Sequence, residues 1–92
     1  MKLLVFTMEK CPNCPAAKKV VKEVAEEIGI EFEEVDVEKN MIKALKYSVA
    51  STPSIVLLRD GEHEVLFRSE VPSKRELIDA MGVIIGENRG NS

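Results

Sequence analysis

A chain of 92 residues that is 45% hydrophobic and 32% charged can bury one modest core and is too apolar for wholesale disorder. Its 13 basic and 16 acidic residues leave a net charge of −3 with no basic block, so nucleic acid and anionic membrane surfaces find no electrostatic footprint. No stretch reaches the roughly 20 apolar residues of a membrane helix, and the first apolar run yields to Glu9 and Lys10 too soon for a secretory signal; the cytoplasm is the expected compartment.

Lys2–Thr7 reads as a near-continuous apolar strand, the pattern of a strand buried on both faces in mid-sheet. Met8 to Lys10 form a loop. A helix is expected from Pro12 to Ile28, with Ala17, Val20, Val21, Val24 and Ile28 on its apolar stripe and Gly29 just past its end. Pro12 suits the first helical position, where its missing N–H breaks no bond. Pro15 disfavours helical geometry at Cys14 and predicts an irregular start. Ile30–Val37 alternates as an edge strand through Ile30 and Phe32, then, after a polar pair, Val35 and Val37.

A short helix is expected over Asn40–Tyr47, begun by Asp36 or Glu38, with Ile42, Leu45 and Lys46 at helical spacing. Ser51-Thr52-Pro53-Ser54 interrupts it, and Ile55–Leu58 is a buried-strand run. Asp60-Gly61 signals a hairpin turn into a partner strand, Val65–Phe67, with Glu64, Arg68 and Glu70 marking an exposed side. Ser73 and Glu76 form a capping box for a last helix burying Leu77, Ile78, Met81 and Ile84 or Ile85. Residues 1–85 are expected to form one domain and residues 86–92 a flexible tail. The order β-α-β-α-β-β-α gives an α/β fold. A right-handed βαβ unit sets the first two strands parallel and adjacent, the hairpin adds two antiparallel strands, and helices cover both faces of a four-stranded mixed sheet.

Cys11-Pro12-Asn13-Cys14 carries the chemistry. Two thiols at a strand-to-helix junction meet unpaired backbone N–H groups and the positive end of the helix dipole, which favour a thiolate. A thiolate attacks disulfides, and a second thiol within reach resolves the mixed disulfide. In a reducing compartment such a pair points to redox or metal chemistry rather than to a structural staple. A bridge closing so small a loop also contributes little chain-entropy stabilisation. Lys10 adds positive charge beside Cys11, and both effects should lower its pKa below the free value of about 8.5. Pro12 and Asn13, between the cysteines, tune the pair. Met8 is a candidate for an apolar rim. Lys18 and Lys19 read as solvated helix residues, and His63 as an exposed hairpin residue. Tyr47 should cap the second helix's apolar face, its hydroxyl at the surface.

With Cys11-Pro12-Asn13-Cys14 after the first strand, this element order, and Thr52-Pro53 before the third strand, the chain resembles the thioredoxin superfamily over roughly residues 2–85. Its short length is similar to the glutaredoxin core and to the small archaeal thioredoxin/glutaredoxin-like group. The resemblance implies a thioredoxin-like fold and a thiol-disulfide oxidoreductase that reduces protein disulfides. It also implies a monomer without a resident cofactor or metal, re-reduced by a separate flavin-containing reductase. Cys11 becomes the exposed attacking thiol and Cys14 the buried resolving thiol. Pro53, otherwise an ordinary trans proline at a strand's first position, becomes a cis-proline. A cis bond there aims the Thr52 backbone at a substrate strand for β-type pairing.

The departures bear on subfamily. Glutaredoxins commonly carry an aromatic residue where Asn13 stands. They hold glutathione with a Gly-Gly segment where this chain has Ser69-Glu70-Val71-Pro72, so the glutathione-dependent reading ranks second. Thioredoxins carry tryptophan at the place of Lys10 and a buried acid at about Val5. The residues therefore name no proton acceptor for the resolving thiol, and Glu9 is a candidate only by proximity. From another class comes a metal-binding module. Structural zinc takes four Cys or His ligands, and two cysteines with the remote His63 do not close such a site within one monomer. An interaction domain keeping the fold without the chemistry is a third option, against which the retained cysteine pair argues.

Overall fold

Burial on both faces places one strand at the centre of the sheet. In the computed structural model, which describes residues 1–82, β1 (Lys2–Thr7) is buried from Leu3 to Thr7. It pairs in parallel with β2 (Glu31–Asp36) on one side and antiparallel with β3 (Ser54–Arg59) on the other. β4 (Glu62–Arg68) completes a four-stranded mixed sheet of order β2-β1-β3-β4. The edge position expected for the second strand holds. The hairpin turn closes with positive φ at both Asp60 (48°) and Gly61 (83°), the twist that a two-residue connection between right-twisted strands demands.

The helices divide between the two faces. α1 (Cys14–Ile28) and α3 (Lys74–Met81) lie on the face carrying Leu3, Val5, Ile55 and Leu57, where Val21, Val24, Leu77 and Met81 complete the larger core. α2 (Met41–Lys46) covers the opposite face, where Leu4, Phe6, Val35 and Val56 pack with Ala44 and Val49. The architecture is thus the thioredoxin-like βαβαββα arrangement that the resemblance implied. Among the described residues, no helix is long and apolar enough to cross a membrane.

Several boundaries differ from the sequence expectation, each for a local reason. α1 begins at Cys14 and not at Pro12. Pro15 takes the place in the first turn where a missing N–H is harmless, which leaves Pro12 in the turn before it. α2 keeps the helical spacing but presents Ile42 and Leu45 to solvent, 85% and 80% exposed, and buries Ala44 instead. Asp36 does not cap that helix; its side chain accepts from the Glu38 and Lys39 N–H groups and closes the preceding turn. α3 stops at Met81 because Gly82 turns left-handed (φ 72°) and its N–H bonds to the Asp79 carbonyl. Ile84, Ile85 and the expected tail 86–92 lie outside the described residues. The termini expected at Gly29 and at Ser73 match: Gly29 is left-handed, and the Ser73–Glu76 capping box is complete.

Two ionic and polar devices tie the elements together. The Glu33 carboxylate accepts from Lys43 Nζ (2.9 Å) and pairs with Lys2 Nζ (2.8 Å), joining β1, β2 and α2. These hydrogen bonds, Lys2's first, hold the Glu33 carboxyl below its ordinary value and raise Lys2 in turn. A depressed carboxylate contributes stability above its unfolded value of 4.5 and loses it as pH falls through the lower folded value. The Lys2 share persists up to its ordinary 10.5 and disappears as pH rises through the raised value. Because the pair is about one-third exposed, Glu33→Gln should cost no more than about 1 kcal/mol at pH 7. Urea melts should show that difference shrinking as pH falls from about 5 toward 2. Ser73→Ala removes the acceptor for the Glu76 N–H and should cost about 1 kcal/mol, read as a fall in Tm of about 4–8 °C by circular dichroism.

Candidate active site

The last residue of β1 leads directly into the reactive turn. Cys11 N–H donates to the Met8 carbonyl (3.2 Å) and Cys14 N–H to the Cys11 carbonyl (3.4 Å), so the segment folds back before α1 begins. Asn13 occupies the helix N-cap without a side-chain cap bond, and its carbonyl accepts from Ala17 N–H (3.1 Å). Cys11 and Cys14 are joined as a disulfide, their Cα atoms 5.4 Å apart, within the ordinary range for such bridges. The two sulfurs are not equivalent. Cys14 is 4% exposed, as the first residue of a helix packed on the sheet, whereas Cys11 is only partly buried. Lys10, Pro12 and Asn13 are all exposed around it.

The proline loop approaches from β3. Ser54 is paired with Phe6, which puts Pro53 at the end of the sheet from which the cysteine turn departs. The Thr52–Pro53 peptide is cis, as the resemblance implied. Ser54 Oγ donates to the Ser51 carbonyl (2.7 Å), Ser69 N–H to the Pro53 carbonyl (2.8 Å), and Arg68 to the Ser48 carbonyl (2.8 Å). The loop is therefore fixed from within and by the end of β4. Pro53 is buried and Thr52 half-buried.

Two clefts flank this end of the molecule. One, of about 450 Å³, is lined by both cysteines with Thr7, Met8, Glu9 and Glu34 among others. The second, of about 750 Å³, is apolar and runs along α2 past Met41, Ile42, Leu45 and Val49 to Thr52. Met8, 36% exposed, stands at the rim of the first.

Some residues make contacts that their composition did not suggest. His63 is an exposed hairpin residue as expected, but its ring, on β4, meets Tyr47 edge-on at 5.1 Å, and Tyr47 also meets Phe6 at 6.2 Å. His63, paired with Leu58 opposite Lys2, lies toward the start of β1, away from the cysteines. Lys18, read as merely solvated, donates to Glu34 Oε1 (3.1 Å), whose second oxygen accepts from Thr7 Oγ1 (3.0 Å). Neither Thr7 nor Glu34 was a sequence candidate. The available signal was the i, i+4 spacing of Cys14 and Lys18, which gives both one helix face. Among the described residues, no three His, Cys, Asp or Glu side chains converge as a metal site.

Comparison with known proteins agrees with this geometry. The thioredoxin domain family model matches residues 1–81. The thioredoxin of Methanocaldococcus jannaschii is 39% identical over 83 residues, spanning 88% of this chain and 92% of that protein. A probable thioredoxin of Methanothermobacter marburgensis is 32% identical with the same coverage. Among solved structures, a mutant thioredoxin from Halobacterium salinarum superposes with a TM-score of 0.76 at 29% identity, covering 85% of this chain and 68% of that one. The cysteine pair, the cis-proline loop and these likenesses have one reading: the chain belongs to the thioredoxin domain family and is a thiol-disulfide oxidoreductase of the small archaeal type.

Proposed function

We propose that this protein disulfide reductase works through Cys11 as the attacking sulfur and Cys14 as the resolving one. The observation that carries the assignment is the unequal burial of two bridged sulfurs, with Cys14 4% exposed beneath a more open Cys11. Attack on a substrate disulfide needs a sulfur that the substrate can reach. Resolution needs only a neighbour already within bonding distance.

The steps follow from this asymmetry. The Cys11 thiolate forms a bond to one substrate sulfur, and the other leaves with the electron pair. Cys14 then bonds to Cys11, breaking the mixed disulfide and releasing the second substrate sulfur as a thiol. The substrate gains two electrons and the Cys11–Cys14 pair loses them. Lys10 and the N–H groups at the start of α1 favour the anionic form of Cys11, and Pro12 and Asn13 set the shape of the turn. The Thr52 backbone beside the cis bond offers an extended substrate segment a hydrogen-bonding edge. The apolar cleft from Thr52 to Leu45 supports a polypeptide as the substrate.

Both cysteines of the chain are in the bridge and no further thiol is left to open it, so its reduction needs an outside donor, which the family resemblance makes a separate flavin-containing reductase. The protein acts as a monomer in the cytoplasm. For the glutathione-dependent alternative the local chemistry is poor: at the segment beginning with Ser69, that residue's N–H is already committed to the Pro53 carbonyl.

Reduction of a model protein disulfide with dithiothreitol as the terminal donor tests the roles. Cys11→Ser should bring turnover to the uncatalysed background. Cys14→Ser should capture substrate in a covalent adduct that mass spectrometry detects and excess thiol releases. Turnover by Cys11→Ser, or turnover by Cys14→Ser without an adduct, contradicts the assignment.

A further inference from the structure

Closing the bridge requires Cys14 to shed a proton, and the two sulfurs supply no base for it. A thiol shut away from water gives up its proton reluctantly. A base within hydrogen-bond reach, directly or through one water, removes that obstacle. β1 does not provide one, because Val5 is apolar and fully buried.

The neighbouring strand brings a carboxylate to the cleft that both sulfurs line. Glu34 stands opposite Val5 in the β1–β2 register, on the same face of the sheet as α1. Thr7 Oγ1 holds one carboxylate oxygen and Lys18 Nζ the other. Lys18 lies one helical turn beyond Cys14, so the helix face that pairs with Glu34 is the face that carries the resolving sulfur. Glu34, Thr7 and both cysteines line one cleft of about 450 Å³, ample for waters of about 30 Å³ each. Glu34 is 41% exposed at its outer edge, so a proton received there can pass to solvent.

Other charged groups face the cleft and are less suited. Asp36 accepts from the N–H groups of Glu38 and Lys39 through Oδ1 alone, but among the described residues no α1 side chain bonds to it, whereas Lys18 ties Glu34 to the helix that carries Cys14. Glu9 and Glu38 are exposed, on the loop after β1 and the turn after β2, and Lys39 beside Glu38 is a cation. Lys18 partly offsets this negative field around the sulfurs.

We propose that Glu34 accepts the Cys14 proton, through a water in the cleft, during resolution of the mixed disulfide. The proton moves from Cys14 Sγ to the Glu34 carboxylate as Cys14 Sγ bonds to Cys11 Sγ. The Cys11–substrate bond breaks, and its electron pair leaves on the substrate sulfur. That sulfur takes the proton back from Glu34, or takes one from solvent while Glu34 gives its own to solvent, and either way the carboxylate is restored. Thr7 is a positioning residue that orients the acceptor. This assignment rests on the roles given to Cys11 and Cys14 above.

The test measures the two steps separately in single turnover, capture of a model protein disulfide and its later release. In Glu34→Gln, capture should keep its rate while release slows about 100-fold at pH 7, the low end of general-base effects. Release by the variant should then rise about tenfold per pH unit between pH 6 and 8, as thiolate alone becomes limiting, against a nearly flat wild-type profile. Glu34→Ala opens the same cleft, and added acetate should restore its release. Wild-type release and pH profile in Glu34→Gln overturn the proposal, as does equal slowing of both steps or a larger defect in Glu9→Gln or Asp36→Asn. Cys14→Ser separates the two levels. If it traps substrate while Glu34→Gln behaves as wild type, only the acceptor is wrong; if it traps nothing, the roles beneath it are wrong.

Discussion

The antiparallel pairing of β1 with β3 is the constraint on which the site depends. Phe6 opposite Ser54 brings two chain segments, distant in sequence, to one end of the sheet. One leaves β1 toward the cysteines, and the other enters β3 through the cis-proline. The pairing is fixed because β1 is buried on both faces: Leu3 and Val5 enter one core, Leu4 and Phe6 the other. A slip of one residue would exchange those sets and thread Thr7 into the wrong layer. The reactive turn is held in place by the best-packed strand of the molecule.

β2 performs a related division with its two adjacent carboxylates. Neighbouring residues on a strand point to opposite faces, so Glu33 and Glu34 go to different layers. Glu33 meets Lys2 and Lys43 beneath α2, where it joins elements together. Glu34 meets Thr7 and Lys18 beside the start of α1, where the sulfurs are. An acid pair that looks in sequence like one polar interruption thus supplies a structural tie on one face and a proton-accepting group on the other.

How far this was legible depended on whether the determining forces are local. β1, the hairpin at Asp60-Gly61, the cap at Ser73 and the stop at Gly29 follow from neighbouring residues, and the sequence reading of them holds. The start of α1 was harder, because two prolines compete for one favourable place and only packing chooses Pro15. The left-handed backbone of Gly82 closes α3 after Met81, while the apolar period that singled out Ile84 or Ile85 runs beyond the described residues. For α2, the spacing of Ile42 and Leu45 states that they share a side but not whether that side meets the core. Glu34 was invisible for the deepest reason: its neighbours come from β1 and α1, and strand register alone decides that they meet.

The central claim is that this scaffold presents one sulfur and shelters the other. Alkylation of the reduced, folded protein by iodoacetamide at pH 7, mapped by peptide mass spectrometry, tests it most directly. The account predicts that Cys11 takes up label promptly and that Cys14 does so only when denaturant unfolds the chain. Equal labelling of the two residues in the folded protein, or faster labelling of Cys14, would contradict it.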